Sequence, residues 1–286
     1  MSSTAIPEER QQTVRVDGLR LSVTEWGPAG GTPIVMLHGL RSYAQTFASL
    51  AAALQPGWRV IALDQRGRGH SDWDPQQRYD TLTYVADLEG VVAALGLQRF
   101  HLLGHSMGGA NAIVAAARHP GQVQSLVVED MGPGASASSA GAERIQRELA
   151  GTPQRFADWA AARAFWRSIR PGVTEEAIDS RVRHSLREEP ATGAVVWRHD
   201  QQGIAQARRR IAPLDLWPAM LAITCPVLLV RGAQSDFLSE ATADAVAQRC
   251  PHVRHIAIDG AGHYVHDDQP EAFQAAVRAF LQEQQP

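Results

Sequence analysis

The sequence contains no lysine; all 27 of its basic residues are arginine. Schiff-base chemistry, a phosphate-loop lysine and a lysine general base are excluded with it. Cysteine is nearly as scarce. Cys225 and Cys250 alone cannot build a metal cluster or a disulfide framework, and Cys225, placed before Pro226 at the head of an apolar run, reads as a small buried hydrophobe. No window reaches the ~18 consecutive apolar residues of a membrane span, and the N-terminal stretch holds no apolar signal core. A net charge of −3 gives no reason to expect a polyanion ligand. The expectation is a cytoplasmic protein with neither membrane nor nucleic acid as partner.

What is present is a globular composition. The chain has 286 residues, 44% apolar and 20% charged, with 24 Gly and 16 Pro, at the upper edge of what one core supports. Short apolar runs alternate with helical patterns. Strands are predicted at Thr13–Val16, Leu19–Trp26, Pro33–His38, Trp58–Asp64, Phe100–His105, Ser125–Asp130, Pro226–Arg231 and Val253–Ile258. Several are continuously apolar, which requires cover on both faces and marks a parallel sheet between helices. Asp17-Gly18 joins the first two as an antiparallel hairpin. Helices are predicted over Tyr43–Leu54, Thr81–Leu95, Gly108–Arg118, Glu240–Gln248 and Pro270–Gln282. The result is a doubly wound α/β sheet.

Between Gly132 and Pro218 the alternation stops. Helical stretches (Ala142–Ala150, Gln154–Ile169, Glu175–Leu186) follow one another with no convincing strand, and Trp159, Trp166, Trp197 and Trp217 cluster there. Thirteen of the 27 arginines fall between Ala135 and Asp215, against ten acids. The division expected is a core of residues 1–132 and 218–286 with a helical cap of residues 133–217 over the carboxyl ends of the strands, where open α/β sheets bind ligands.

The chemistry-bearing residues sit at the ends of predicted strands. Gly104-His105-Ser106-Met107-Gly108 follows an apolar run and opens a small-residue helix, the strand–turn–helix context of a nucleophilic serine. A base for Ser106 is offered by His263 in Gly260-Ala261-Gly262-His263, after the last strand; His266 is read as facing the surface or the lid. The acid that orients His263 is either Asp130 or Asp236, each on a loop after a strand. Two backbone N–H donors for an oxyanion are expected from Met107 and, after His38-Gly39, from Leu40. Arg41 follows and points either to the pocket or to solvent. Asp64-Gln65-Arg66-Gly67-Arg68-Gly69-His70-Ser71 lacks the spacing of a dinucleotide loop and reads as a turn with a buried Asp–Arg pair. The Trp and Arg content of residues 133–217 suggests a pocket for an apolar or aromatic body with a carboxylate, contacted by Arg144, Arg147, Arg163, Arg167 or Trp166. The competing reading for these arginines is solvated helix faces with ion pairs.

Taken in order, His38-Gly39, Asp64-x-Arg66-Gly67-x-Gly69-x-Ser71, Gly104-x-Ser106-x-Gly108-Gly109 and Gly260-x-Gly262-His263 resemble the signatures of the α/β-hydrolase-fold family over nearly the full chain. The resemblance implies a mostly parallel eight-stranded sheet flanked by helices with a helical cap, a Ser106–His263–acid triad, an oxyanion hole at Leu40 and Met107, and no cofactor or metal. Asp130-Met131-Gly132-Pro133 resembles a group of small esterases and amide hydrolases in which the acid comes from the Asp130 position. Related dehalogenases and epoxide hydrolases carry an aspartate in place of Ser106. The expected activity is hydrolysis of a small-molecule ester, lactone or amide through an acyl-serine. A cofactor-free perhydrolase and a hydrolase-fold ligand receptor are the alternatives.

Overall fold

In a computed structural model, residues 8–135 and 139–284 are described. An eight-stranded sheet runs in the order β1-β2-β4-β3-β5-β6-β10-β11. Its members are β1 (Arg10–Val16), β2 (Leu19–Trp26), β3 (Thr32–Leu37), β4 (Trp58–Leu63), β5 (Phe100–His105), β6 (Val123–Glu129), β10 (Val227–Gly232) and β11 (Val253–Ile258). The three strands left out of that order, β7, β8 and β9, lie apart from it. β1 pairs antiparallel with β2, and β2 antiparallel with β4; every later neighbour in the sheet is parallel. The mostly parallel sheet flanked by helices is the expected one.

The sequence dictates why the central strands are covered twice. In β3, Val35 and Leu37 enter one apolar cluster with Val91 and Ile113, while Ile34 and Met36 enter another with Phe47 and Phe273. Successive side chains of a strand point to opposite faces, so an uninterrupted apolar run fills two cores at once. Helices Thr81–Ala94 and Met107–Arg118 supply the first core, and helices Ala48–Leu54 and Pro270–Glu283 the second. Asp80 caps the helix Thr81–Ala94 by accepting from the Thr83 amide.

The chain between β6 and β10 leaves the sheet. It carries helices Ala140–Gly151, Trp159–Ile169, Glu175–Ser185, Gln201–Arg210 and Trp217–Ala222. It also contains a small antiparallel sheet, in the order β7-β9-β8, of β7 (Arg155–Phe156), β8 (Leu186–Glu188) and β9 (Val195–Trp197). This corrects the expectation of a strand-free segment, and it moves the start of the second helix from Gln154 to Trp159. Strands of two or three residues are too short to leave an alternating pattern. The segment has its own apolar cluster, in which Trp166 and Trp197 meet edge to face at 5.6 Å between ring centroids.

Two further expectations are revised. Arg66 is buried as expected, but its partners are Asp87 (2.6 Å) and Asp74 (2.7 Å), from later in the chain. Asp64 instead accepts from the amides of Ala44 and His70 and so ties the turn together. Its burial pushes its pKa up to about 6. Cys225 is only partly buried, although it packs on the first core. No helix among the described residues is long and apolar enough to cross a membrane.

Candidate active site

Ser106 occupies the one-residue turn between β5 and the helix Met107–Arg118, at φ 53° and ψ −119°. A non-glycine residue there carries strain on the order of 1–3 kcal/mol, so the surroundings must enforce it. The flanking glycines allow the close approach. A Cβ on Gly104 would lie 2.2 Å from the Gly108 carbonyl oxygen, and one on Gly108 would lie 2.1 Å from that of Leu37. The Gly-x-Ser-x-Gly spacing is therefore required by backbone contact across the turn.

The turn brings three sequence-distant side chains into a line. Ser106 Oγ–H donates to His263 Nε2 across 2.8 Å, and His263 Nδ1–H donates to Asp130 Oδ2 across 2.7 Å. Ser106, His263 and Asp130 are 5%, 4% and 0% exposed. Asp130 lies just beyond β6 in a left-handed conformation, φ 48°. Its other contacts, the Gly232 amide at 3.1 Å and the Ser235 hydroxyl, come from the end of β10 and the loop after it and hold the carboxylate in place. The Phe237 ring packs on His263 at 4.3 Å.

Asp236, the other candidate acid, points away. It takes a two-pronged hydrogen bond from Arg144 at 2.8 and 3.0 Å, and that bond holds its carboxyl below the usual range. The guanidinium fork competes for Asp236 where the imidazole does not reach it.

His266 is not at the surface, as expected, but buried behind His263. Its amide and Nδ1–H both donate to Glu129, at 2.9 and 2.7 Å, and its Nε2 meets the Thr46 hydroxyl at 3.0 Å. Burial works against both charges. Even so, the pair holds Glu129 below and His266 above their usual pKa values. His105 joins this layer through Nε2–H to the His263 carbonyl at 2.9 Å, and burial lowers its pKa to about 3. His105, Glu129 and His266 offer donor atoms within 4.8 Å of one another. Because both His266 nitrogens are already engaged within the protein, the cluster is a hydrogen-bonded layer supporting the His263 loop. The sequence signal for it was Glu129 beside Asp130 and the His263-to-His266 spacing.

Ser106, Met107 and Leu40 form one wall of a cavity of about 990 Å³. The opposite wall comes from the helices Ala140–Gly151 and Gln201–Arg210, through residues such as Ile145, Leu149 and Ile204. Among the described residues, neither the Leu40 nor the Met107 backbone N–H donates to a backbone carbonyl.

The arginines named from the sequence as substrate contacts are engaged elsewhere. Arg41 binds Glu148 and Thr152, and Arg144 binds Glu148 as well as Asp236. Arg147 pairs with Glu143 at 3.8 Å on the surface; Arg163 pairs with Glu175 and Asp179, and Arg167 with Glu175. Trp166 is 5% exposed, inside the aromatic cluster. None of these six lines the cavity that contains Ser106. Acids four or a few residues away on the same or neighbouring helices neutralise the arginines before a ligand can. Two contacts were missed altogether: Arg170 to Asp268 at 2.8 Å and Arg181 to Asp267, which fasten the inserted segment to the chain just after His263.

A family model described as alpha/beta hydrolase fold matches residues 32–270. The chain is 30% identical over 267 residues to 2-(acetamidomethylene)succinate hydrolase of Mesorhizobium japonicum, covering 93% of this chain and 94% of that one. A crystal structure of E-2-(acetamidomethylene)succinate hydrolase superposes with a TM-score of 0.87 at 29% identity, over 96% and 100% of the two chains. An esterase of Mycobacterium tuberculosis is 30% identical over 273 residues, 93% of this chain and 88% of its own.

Proposed function

The chain belongs to the α/β-hydrolase fold family, and on that premise we propose that it hydrolyses a carboxylic ester, lactone or related acyl bond of a small molecule through an acyl-Ser106 intermediate. The observation that carries the reading is the continuous hydrogen-bond line Ser106–His263–Asp130, opening on a cavity. The relatives' names, a succinate-derivative hydrolase and an esterase, support the same reaction class.

Ser106 Oγ attacks the substrate carbonyl while His263 Nε2 takes the hydroxyl proton. Asp130 holds the Nδ1–H tautomer and stabilises the imidazolium that forms. The amides of Met107 and Leu40 donate hydrogen bonds to the developing oxyanion, and the dipole of the helix that starts at Met107 adds to their field. His263 returns its proton to the leaving group. It then deprotonates water, which attacks the acyl-serine and releases acid and free Ser106. Residues 133–217 act as a cap that closes the cavity from water. Turnover of p-nitrophenyl acetate by the wild type and by Ser106→Ala tests the reading. The wild type is expected to turn over the ester and the variant to lose activity; equal rates overturn the assignment.

A further inference from the structure

Three other arginines, Arg68, Arg208 and Arg209, absent from the sequence-based candidates, line the cavity without a carboxylate against them. Arg68 is 0% exposed. Its guanidinium donates to the carbonyls of Leu40 (3.0 Å) and Arg66 (2.8 Å), to the Tyr84 hydroxyl, and to Met107 Sδ (3.5 Å). It also lies over the Tyr79 and Tyr84 rings at 5.4 and 5.2 Å. Every one of these contacts is a neutral group. Arg208, an exposed residue near the end of the helix Gln201–Arg210, borders the same cavity beside Arg209, and among the described residues its side chain makes neither an ion pair nor a hydrogen bond. The surrounding protein, and then the charge of Arg68, lower its pKa.

Two carboxylates share the cavity, but both are engaged. Asp80 caps its helix through Thr83, and Glu143 faces Arg147. By contrast, the buried arginines Arg66 and Arg181 each sit against carboxylates. Burying the Arg68 charge without a counter-ion, beside Arg208 and Arg209, costs free energy that a bound anion would return. The rest of the lining mixes apolar side chains such as Ile145, Leu149 and Ile204, which suit the body of a small molecule, with neutral polar ones such as Gln146 and Gln202.

We propose that Arg208, backed by Arg68, anchors an oxyanionic group, carboxylate or phosphate, on the substrate, so that the cavity selects acidic acyl compounds. The guanidinium fork matches either oxyanion. Because Arg68 touches both Leu40 and Met107, the anchor adjoins the reacting carbonyl. The inference rests on the hydrolase reading above.

The test uses three p-nitrophenyl esters with acyl chains of equal length ending in methyl, carboxylate or phosphonate. The wild type is expected to favour an acidic ester in kcat/KM, and the better of the two acids identifies the anion. In Arg208→Gln the acidic-to-neutral ratio should fall by about ten- to a hundredfold, mainly through KM, as for a lost charge-assisted hydrogen bond. Arg254→Gln, whose side chain pairs with Glu283 on the exterior, should keep the wild-type ratio. An unchanged ratio in Arg208→Gln, or a wild-type preference for the methyl ester, overturns the proposal. If the wild type turns over none of the three, the hydrolase reading fails instead. Calorimetric binding of glutarate then decides the anchor alone: at least tenfold weakening in Arg208→Gln supports it, and equal affinity overturns it.

Discussion

Two arginines, one in the body of the sheet and one in the segment inserted between β6 and β10, are held in opposite ways. In the body, Arg66 is 1% exposed and clasped by Asp74 and Asp87. In the insert, Arg163 reaches Glu175 and Asp179 on a surface where all three side chains are well exposed. A buried pair is costly to break because each partner left behind is an uncompensated charge. An exposed pair exchanges its partner for water at little cost. The catalytic candidates Ser106, His263 and Asp130 all stand on the body. The insert contributes the far wall of the cavity and the contacts Arg170–Asp268 and Arg181–Asp267. The difference separates placement of the reacting atoms from selection of what reaches them.

The sharpest way to break that division is to exchange the two candidate acids. Asp130→Asn should lower kcat for p-nitrophenyl acetate by about 10⁴-fold, since the amide favours the wrong imidazole tautomer. Asp236→Asn, which loosens only the Arg144 contact, should change kcat less than about tenfold. If the two variants exchange these effects, Asp236 supplies the acid and the body–insert division fails at its centre.

The next effect is on stability. Arg66→Leu leaves the buried Asp87 without its cation and Asp74 with Arg78 alone, and should cost about 3–5 kcal/mol of unfolding free energy, measured by urea denaturation. A loss under about 1 kcal/mol would mean that Arg66 behaves like the exposed arginines of the insert.

Glu129→Gln probes the layer behind His263. The Glu129 carboxylate contributes stability above its ordinary pKa of 4.5, lost as pH falls through its lowered folded value. The His266 imidazolium contributes fully below 6.5, and that is lost as pH rises through its raised folded value. Both contributions are therefore complete between those two pH values. The wild type should exceed Glu129→Gln by about 1–3 kcal/mol at about pH 5.5, and by less well above the His266 value. A pH-independent difference would show that the pair is not ionised.

How much of this was legible in the sequence follows the same division. The sheet announced itself because β3, β4, β6 and β10 contain continuous apolar runs, and the serine turn because backbone contact at Gly104 and Gly108 permits only glycine. Asp130 and Asp236 could not be separated, since each follows a strand and only the Arg144 fork distinguishes them in space. Glu129 was missed, and His266 was read as facing the surface or the lid, because a charged residue beside an apolar run looks like solvent-facing polarity until its partner is known. The insert hid most. Its β7, β8 and β9 are too short for a period, and which of its arginines lack a partner depends on helices distant in sequence.

The smallest effect sharpens the comparison most. Arg163→Gln removes a guanidinium from two carboxylates, yet all three groups are hydrated, so the cost should be about 0.2–1 kcal/mol and should shrink further in about 1 M salt. Its side chain is absent from the wall of the Ser106 cavity, so the kcat/KM ratio for acidic over neutral esters should stay at the wild-type value while Arg208→Gln lowers it. Both residues belong to the arginine-rich insert, but carboxylates neutralise Arg163 away from the cavity, whereas Arg208 borders it unpaired. A shift of that ratio in Arg163→Gln equal to the one in Arg208→Gln would assign selectivity to the net charge of the whole insert and not to the Arg208 guanidinium at the cavity.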